Sequence, residues 1–294
     1  MHPILDLWVP ALLVLMMFVV GSGLTTEDFR RLGDRAILLI AATAAQLVLL
    51  PAIAGLLILV FDPVAPSAIG LLLLSVCPGG AISNYYAHLV KANVALSVVL
   101  TAITSLACTV TTPFAAQLVF SLVWAEGTRV HVPAGRVLLQ LALFVLLPIA
   151  IGMGWRSRQP ARVRRWLPLL NRISIISLVA LLVTILVDQR HAIGGGIGPV
   201  LVLAVAFTLA CFAVGAALGW ALRARPGESA SLALEFSVRN LGVMALVAVN
   251  VLGNTEYLLF GAVFFIVQMP TALAAVGILK RMTGRRGSLS AIES

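Results

Sequence analysis

The chain has 294 residues, of which 61% are hydrophobic and 11% charged, with a mean hydropathy of +1.08 and a formal net charge of +9. About a quarter of an ordinary soluble domain is charged. This composition therefore excludes a soluble enzyme, a disordered chain and a nucleic-acid-binding domain, and it makes a polytopic membrane protein the expected class.

A helix crosses the hydrocarbon core with about 20 apolar residues. Apolar runs separated by short polar breaks predict nine transmembrane spans, at 7–24, 36–60, 66–90, 93–124, 134–155, 171–188, 197–222, 227–252 and 256–279. The runs are continuous Leu, Val, Ala and Ile without an alternation of period two, which excludes a β-barrel and leaves an all-α bundle. Only His2 and Asp6 carry ionisable groups ahead of the first run, so it lacks the basic flank of a signal peptide and is predicted to be a span. Nine spans put alternate loops on opposite sides. One side then collects sixteen basic residues, among them Arg30, Arg31, Lys91, Arg156 to Arg165, Arg172, Arg223 and those of the 280–294 tail. The other side holds Arg129, Arg136 and Arg190. Positive charge marks the cytoplasmic face. The expectation is a multi-pass protein of the cell (inner) membrane with its N-terminus outside and a basic cytoplasmic tail. Cys77, Cys108 and Cys211 are odd in number and fall inside spans, so no disulfide framework is expected.

Span three carries Cys77-Pro78-Gly79-Gly80-Ala81-Ile82-Ser83-Asn84. Proline removes a backbone donor and the glycines loosen the chain, so this helix is predicted to break in mid-membrane. Freed backbone groups are tolerated at that depth only against protein or a water-filled cavity, so the break marks a site unless neighbours simply satisfy a kink. Span four places Ser97, Thr101, Thr104 and Ser105 on one helical face, where hydroxyls either face a partner or bond back to their own helix. Span eight carries Glu235-Phe236-Ser237-Val238-Arg239-Asn240-Leu241-Gly242, ionisable residues deep in an apolar run. These mark either a local Glu235/Arg239 pair at helical spacing or a functional site. Hydroxyl, amide and carboxylate oxygens suit a small hard cation, so Ser83, Asn84, Ser97, Thr101 and Glu235 are expected to form one oxygen cage.

The breaks fall third in each of two four-helix sets, spans one to four and six to nine, with span five between them. The first repeat covers 7–124 and the second half of the chain 134–279. An offset of five spans inverts one set, the layout of a secondary transporter whose discontinuous helices bind ion and substrate. A channel would show repeated filter segments instead.

At these residues the chain resembles the bile acid:sodium symporter family. The CPGGAISN segment carries the resemblance, with the following LVKANVALSVVLTAITSLACTVTTP and the later LEFSVRNLGVMALVAV. The opening LLVLMMFVVGSGLTTEDF and the AQLVLLP of span two add to it, so it runs over nearly the whole chain. With nine spans rather than ten, the chain lacks the first helix of bacterial members and is similar to animal members. The resemblance implies a core domain with two crossed helices, a smaller panel domain, sodium behind the crossover and an organic anion in front. Carried over by position, a first sodium site uses Ser83, Asn84, Ser97, Thr101 and Glu235. A second uses Gln46, Glu235 and carbonyls near Phe236 and Val238, completed in the family by a Gln four positions after the Glu. Here that position is Arg239. A guanidinium has five donors and no acceptor, so it cannot act as a cation ligand. It either stands in the second site as a tethered cation, leaving at most one sodium, or reaches forward to bind a substrate carboxylate.

The resemblance also places Gly79, Gly80, Ala81 (a Thr in the family), Arg239, Asn240 and Gln268 around a small organic anion, with helix N-termini offering N–H groups to it. The lipid bilayer is the surrounding phase; no nucleic acid, no obligate protein partner and no cofactor besides a coupling sodium is expected. The functional reading is a secondary active transporter. Its alternatives are a sodium-independent carrier and a non-transporting receptor or sensor of the same fold. An enzyme is not expected, because His88, His131 and the Gly21-Ser22-Gly23 segment lack a nucleophile and base arrangement.

Overall fold

The computed structural model describes residues 3–31, 33–123, 133–190 and 197–290. His2, Arg129, His131 and the last four residues of the tail lie outside the described residues. Within them the regular elements are helical: α1 (Pro3–Gly23), α2 (Thr26–Arg31), α3 (Ala36–Phe61), α4 (Ala65–Val76), α5 (Ile82–Leu89) and α6 (Val94–Val123). Then follow α7 (Ala134–Arg158), with a π-helical stretch at Ala142–Leu146, and α8 (Pro160–Asp188). The last are α9 (Gly198–Ala221), α10 (Pro226–Ser237), α11 (Leu241–Val251) and α12 (Leu258–Ser290).

Among the described residues, six helices are long and apolar enough to cross a bilayer: Gly33–Phe61, Val94–Gln117, Ala134–Arg158, Pro160–Asp188, Gly198–Ala221 and Leu258–Leu279. Their outer faces are apolar too, with Ile37, Leu59, Val60 and Trp220 exposed. Such surfaces are stable only against lipid, so the chain is a multi-pass membrane protein. The stretches predicted as spans one, three and eight hold shorter apolar helices, Leu7–Gly23, Ala65–Val76 and Leu241–Val251. Of the two pairs of half-helices, α4, α10 and α11 fill the interior and α5 is half-buried beside them. Every residue of α4 from Ser67 to Val76 is buried, as is all of α10 from Ala230 to Ser237. Helices too short to span are tolerated at membrane depth when protein surrounds their open ends, which is the arrangement here.

Around these half-helices α9 packs on α10 and α12, and α3 packs on α4, α6 and α9. On the other flank α1 packs on α7 and α8. Glycines set that contact: a Cβ on Gly21 would lie 2.1 Å from the Ile149 carbonyl oxygen, and one on Gly152 2.4 Å from that of Phe18. Backbones approach this closely only through small residues. Gly21 and Ser22 thus form a packing surface, and the Ser22 hydroxyl bonds back to the Phe18 carbonyl at 2.8 Å.

Two boundaries differ from the sequence expectation. Span six, expected at 171–188, begins at Pro160, a residue preorganised for the first helical turn, and runs as one helix of 29 residues. Arg172, assigned above to a cytoplasmic loop, therefore lies within a helix. Its neighbours Arg162, Arg164 and Arg165 are exposed on the first turns and had masked the helix in the hydropathy pattern. The tail from 280 likewise continues α12 as helix to Ser290.

Candidate ion and anion site

The break in span three follows from local chemistry. Cys77 precedes a proline, which disfavours the helical region, and it is extended at φ −74° and ψ 157°. The break in span eight has no proline, yet Val238 is extended at φ −115° and ψ 118° and Asn240 caps the next half-helix, its Oδ1 accepting the Val243 N–H at 3.2 Å. The two breaks satisfy each other. Gly80 N–H donates to the Val238 carbonyl and Asn240 N–H to that of Pro78, both at 3.0 Å, an antiparallel bridge between Gly79 and Arg239. A Cβ at Gly80 would come within 2.8 Å of the Arg239 carbonyl oxygen, so the crossing requires glycine there.

All five residues expected in the oxygen cage come together behind this crossing. Glu235, on the last turn of α10, is fully buried. Its Oε2 accepts from Ser83 Oγ at 2.5 Å and Ser97 Oγ at 3.2 Å, and its Oε1 from Thr101 Oγ1 at 2.7 Å. Asn84 Oδ1 stands 3.5 Å from Thr101 Oγ1. The Thr101 hydroxyl has one hydrogen and three oxygens around it, the third being the Ser97 carbonyl at 2.9 Å. Acceptors outnumber donors, a surplus that suits a cation. Asn93 holds α6 against α10, with its N–H on the Gly227 carbonyl and its own carbonyl accepting from Ser231 Oγ. Thr104 and Ser105, on the same face of α6, bond back to helix carbonyls and take no part.

Glu235 and Arg239 are not an ion pair. The extended residue between them ends the helical register, and the guanidinium points the other way. Arg239 Nη1 donates to Gln46 Oε1 at 2.7 Å and Nη2 to the Cys77 carbonyl, leaving Nε without a partner. Gln46 is the side chain expected in the second sodium site, and the Cys77 carbonyl lies at the open end of α4. Nearby, the Val76 carbonyl accepts from Thr112 Oγ1 at 2.6 Å. A cation thus closes the negative end of α4. Of the backbone ligands expected there, the Val238 carbonyl accepts Gly80 N–H and Phe236 is fully buried.

In front of the crossing lies a cavity of about 450 Å³ between α1, α5, α6 and α8. Ala81 and Asn84 open onto it. The other residues expected around the substrate lie elsewhere in this conformation. Gly79 seats the carboxylate, a Cβ there falling 2.1 Å from Glu235 Oε1. Arg239 is turned behind the crossing, Asn240 is spent as a cap, and Gln268 is fully buried on α12 with both amide atoms unpartnered. Sequence reasoning missed Asn171, Arg172 and Ser174 of α8, which face the cavity.

The fold and the site define a multi-pass helical membrane protein whose two broken helices meet beside a buried carboxylate. The chain is a member of the sodium bile acid symporter family, whose model matches residues 10–195. It is 31% identical over 180 residues to the "Uncharacterized sodium-dependent transporter YocS" of Bacillus subtilis, covering 60% of this chain and 54% of that protein. It is 30% identical over 201 residues to the "Probable sodium/metabolite cotransporter BASS2, chloroplastic" of Oryza sativa subsp. japonica, covering 68% and 46%. With "Sodium/bile acid cotransporter 4" of Homo sapiens it shares 28% identity over 243 residues, 81% of this chain and 54% of that protein. The matches span about half the length of these curated relatives.

Proposed function

We propose that the protein is a secondary active transporter that couples entry of a small organic anion to one sodium ion by alternating access. One observation carries this: a fully buried carboxylate, Glu235, ringed by the oxygens of Ser83, Asn84, Ser97 and Thr101, with its single nearby guanidinium turned away. A buried charge is stable only when compensated, and a sodium ion among these oxygens supplies the compensation. Arg239 occupies the Gln46 oxygen, the side-chain ligand expected of a second ion, so coupling uses one sodium and a tethered guanidinium stands for the other. The names of the relatives, sodium-dependent transporter and sodium cotransporter, support the same reading.

The mechanism follows from the placement of the sites. Asn84 touches the ion cage through Thr101 and also lines the anion cavity, so filling the cage fixes one wall of the cavity. The cavity meets Ala81 and Ile82 at the start of α5, whose positive dipole end favours an anion. The half-helices with α3, α6, α9 and α12 act as the core of two inverted repeats, α1, α7 and α8 as the panel, and rocking of one against the other exposes the cavity alternately. Cavity-lining segments of α1, α5 and α8 lead to Arg30, Lys91 and Arg165, the basic ends, so the cavity lies toward the cytoplasm with the N-terminus outside. Uptake of a radiolabelled organic acid by proteoliposomes under an inward sodium gradient tests the proposal. Accumulation that collapses with the gradient is expected; binding without accumulation would identify a sensor instead.

A further inference from the structure

The anion reading leaves open which group holds the carboxylate, since Arg239 is committed elsewhere. Arg172 is the one Lys, Arg, Asp or Glu that lines the 450 Å³ cavity among the described residues. It lies twelve residues into α8, in the run Leu167 to Leu178 that is otherwise apolar but for Asn171, Ser174 and Ser177. It makes no ion pair and no hydrogen bond with the described residues. The Arg172 side chain is exposed where the cavity opens, and basic side chains within membrane helices face a bundle interior or a water-filled cavity. Two residues on, the Ser174 hydroxyl is buried at 7% exposure, lines the same cavity and has no hydrogen-bond partner. An exposed guanidinium and one buried, unpartnered hydroxyl therefore line one space whose remaining walls are mostly apolar, with Met16, Val20 and Leu178 beside Tyr85.

We infer that Arg172 is the carboxylate anchor of the substrate, assisted by the Ser174 hydroxyl, and that the substrate pairs one carboxylate with a compact apolar body. The inference rests on the organic-anion reading above. A guanidinium grips a carboxylate through two parallel N–H donors, which an ammonium cannot reproduce. At 450 Å³ the cavity is in the lower range of ligand pockets and admits a small acid rather than a large amphiphile. Asn84 stands across the cavity, so anchored anion and caged cation share one intervening side chain.

Titration calorimetry of the purified full chain with phenylacetate and with its neutral isostere phenylacetamide, in sodium buffer, tests the assignment. The wild type should bind the carboxylate roughly tenfold or more tightly than the amide, the loss expected for one charged hydrogen bond. Arg172→Gln should abolish that preference by weakening acid binding tenfold or more, with a melting temperature like that of the wild type showing that the variant is folded, and Arg172→Lys should restore the preference in part. An undiminished carboxylate preference in Arg172→Gln would overturn the assignment and leave the carrier reading standing. A wild type that binds acid and amide equally would overturn both the assignment and the anion reading.

Discussion

Replacing Arg239 with glutamine tests the tethered-cation account at its origin. The guanidinium makes two buried charge-assisted hydrogen bonds, to Gln46 Oε1 and to the Cys77 carbonyl. Each such bond contributes about 1.5–3 kcal/mol, so losing both costs roughly 3–6 kcal/mol, offset in part because a desolvated charge is removed as well. The new amide oxygen joins Gln46 and the freed carbonyl as a cation ligand. Sodium then binds where the guanidinium was, and at one hundred times its Kd returns about 2.7 kcal/mol. The assay is thermal unfolding of purified protein in sodium chloride against choline chloride at equal ionic strength. Arg239→Gln should melt below the wild type in choline and recover several degrees in sodium, a larger sodium response than the wild type shows. Arg239→Met supplies no oxygen and should lose stability without that recovery. An Arg239→Gln protein whose sodium response equals that of the wild type would refute the reasoning.

Three further outcomes follow from the cage. Glu235→Gln removes the charge that the ion compensates and should abolish both sodium-dependent uptake and sodium-induced thermal stabilisation. Thr101→Val removes a hydroxyl 2.7 Å from Glu235 Oε1 and should weaken sodium binding by about one to two orders of magnitude in a titration, while Thr104→Val, whose hydroxyl serves only its own helix, should leave it unchanged. Gly79→Ala drives a methyl group into Glu235 Oε1, a clash of the kind that costs about 1–3 kcal/mol, and should lower the melting temperature together with the sodium response.

Much of the interior was legible because proline, glycine and buried charge are local signals. Cys77-Pro78-Gly79-Gly80 announced a break, and Glu235 and Arg239 were out of place in an apolar run. Side-chain direction was not legible. From spacing alone Thr104 matched Thr101 and Glu235 matched Arg239 as a helical pair, and only the extended residue at Val238 and the pairing of the two breaks decide where each points. Asn240 was expected at the cavity from the family resemblance, but an open helix N-terminus beside it claims its oxygen. Arg172 was hidden for a different reason. Its run of basic neighbours reads as a loop, and which of the arginines of such a helix lines a cavity is information that exists only once α1 and α5 are packed beside it.

Equilibrium binding of radioactive sodium to the purified wild-type protein tests the central claim most directly. One ion per protein with a Hill slope near one is the result expected from a single cage at Glu235 with Arg239 in place of a second ion. Two ions per protein, or none, would contradict it.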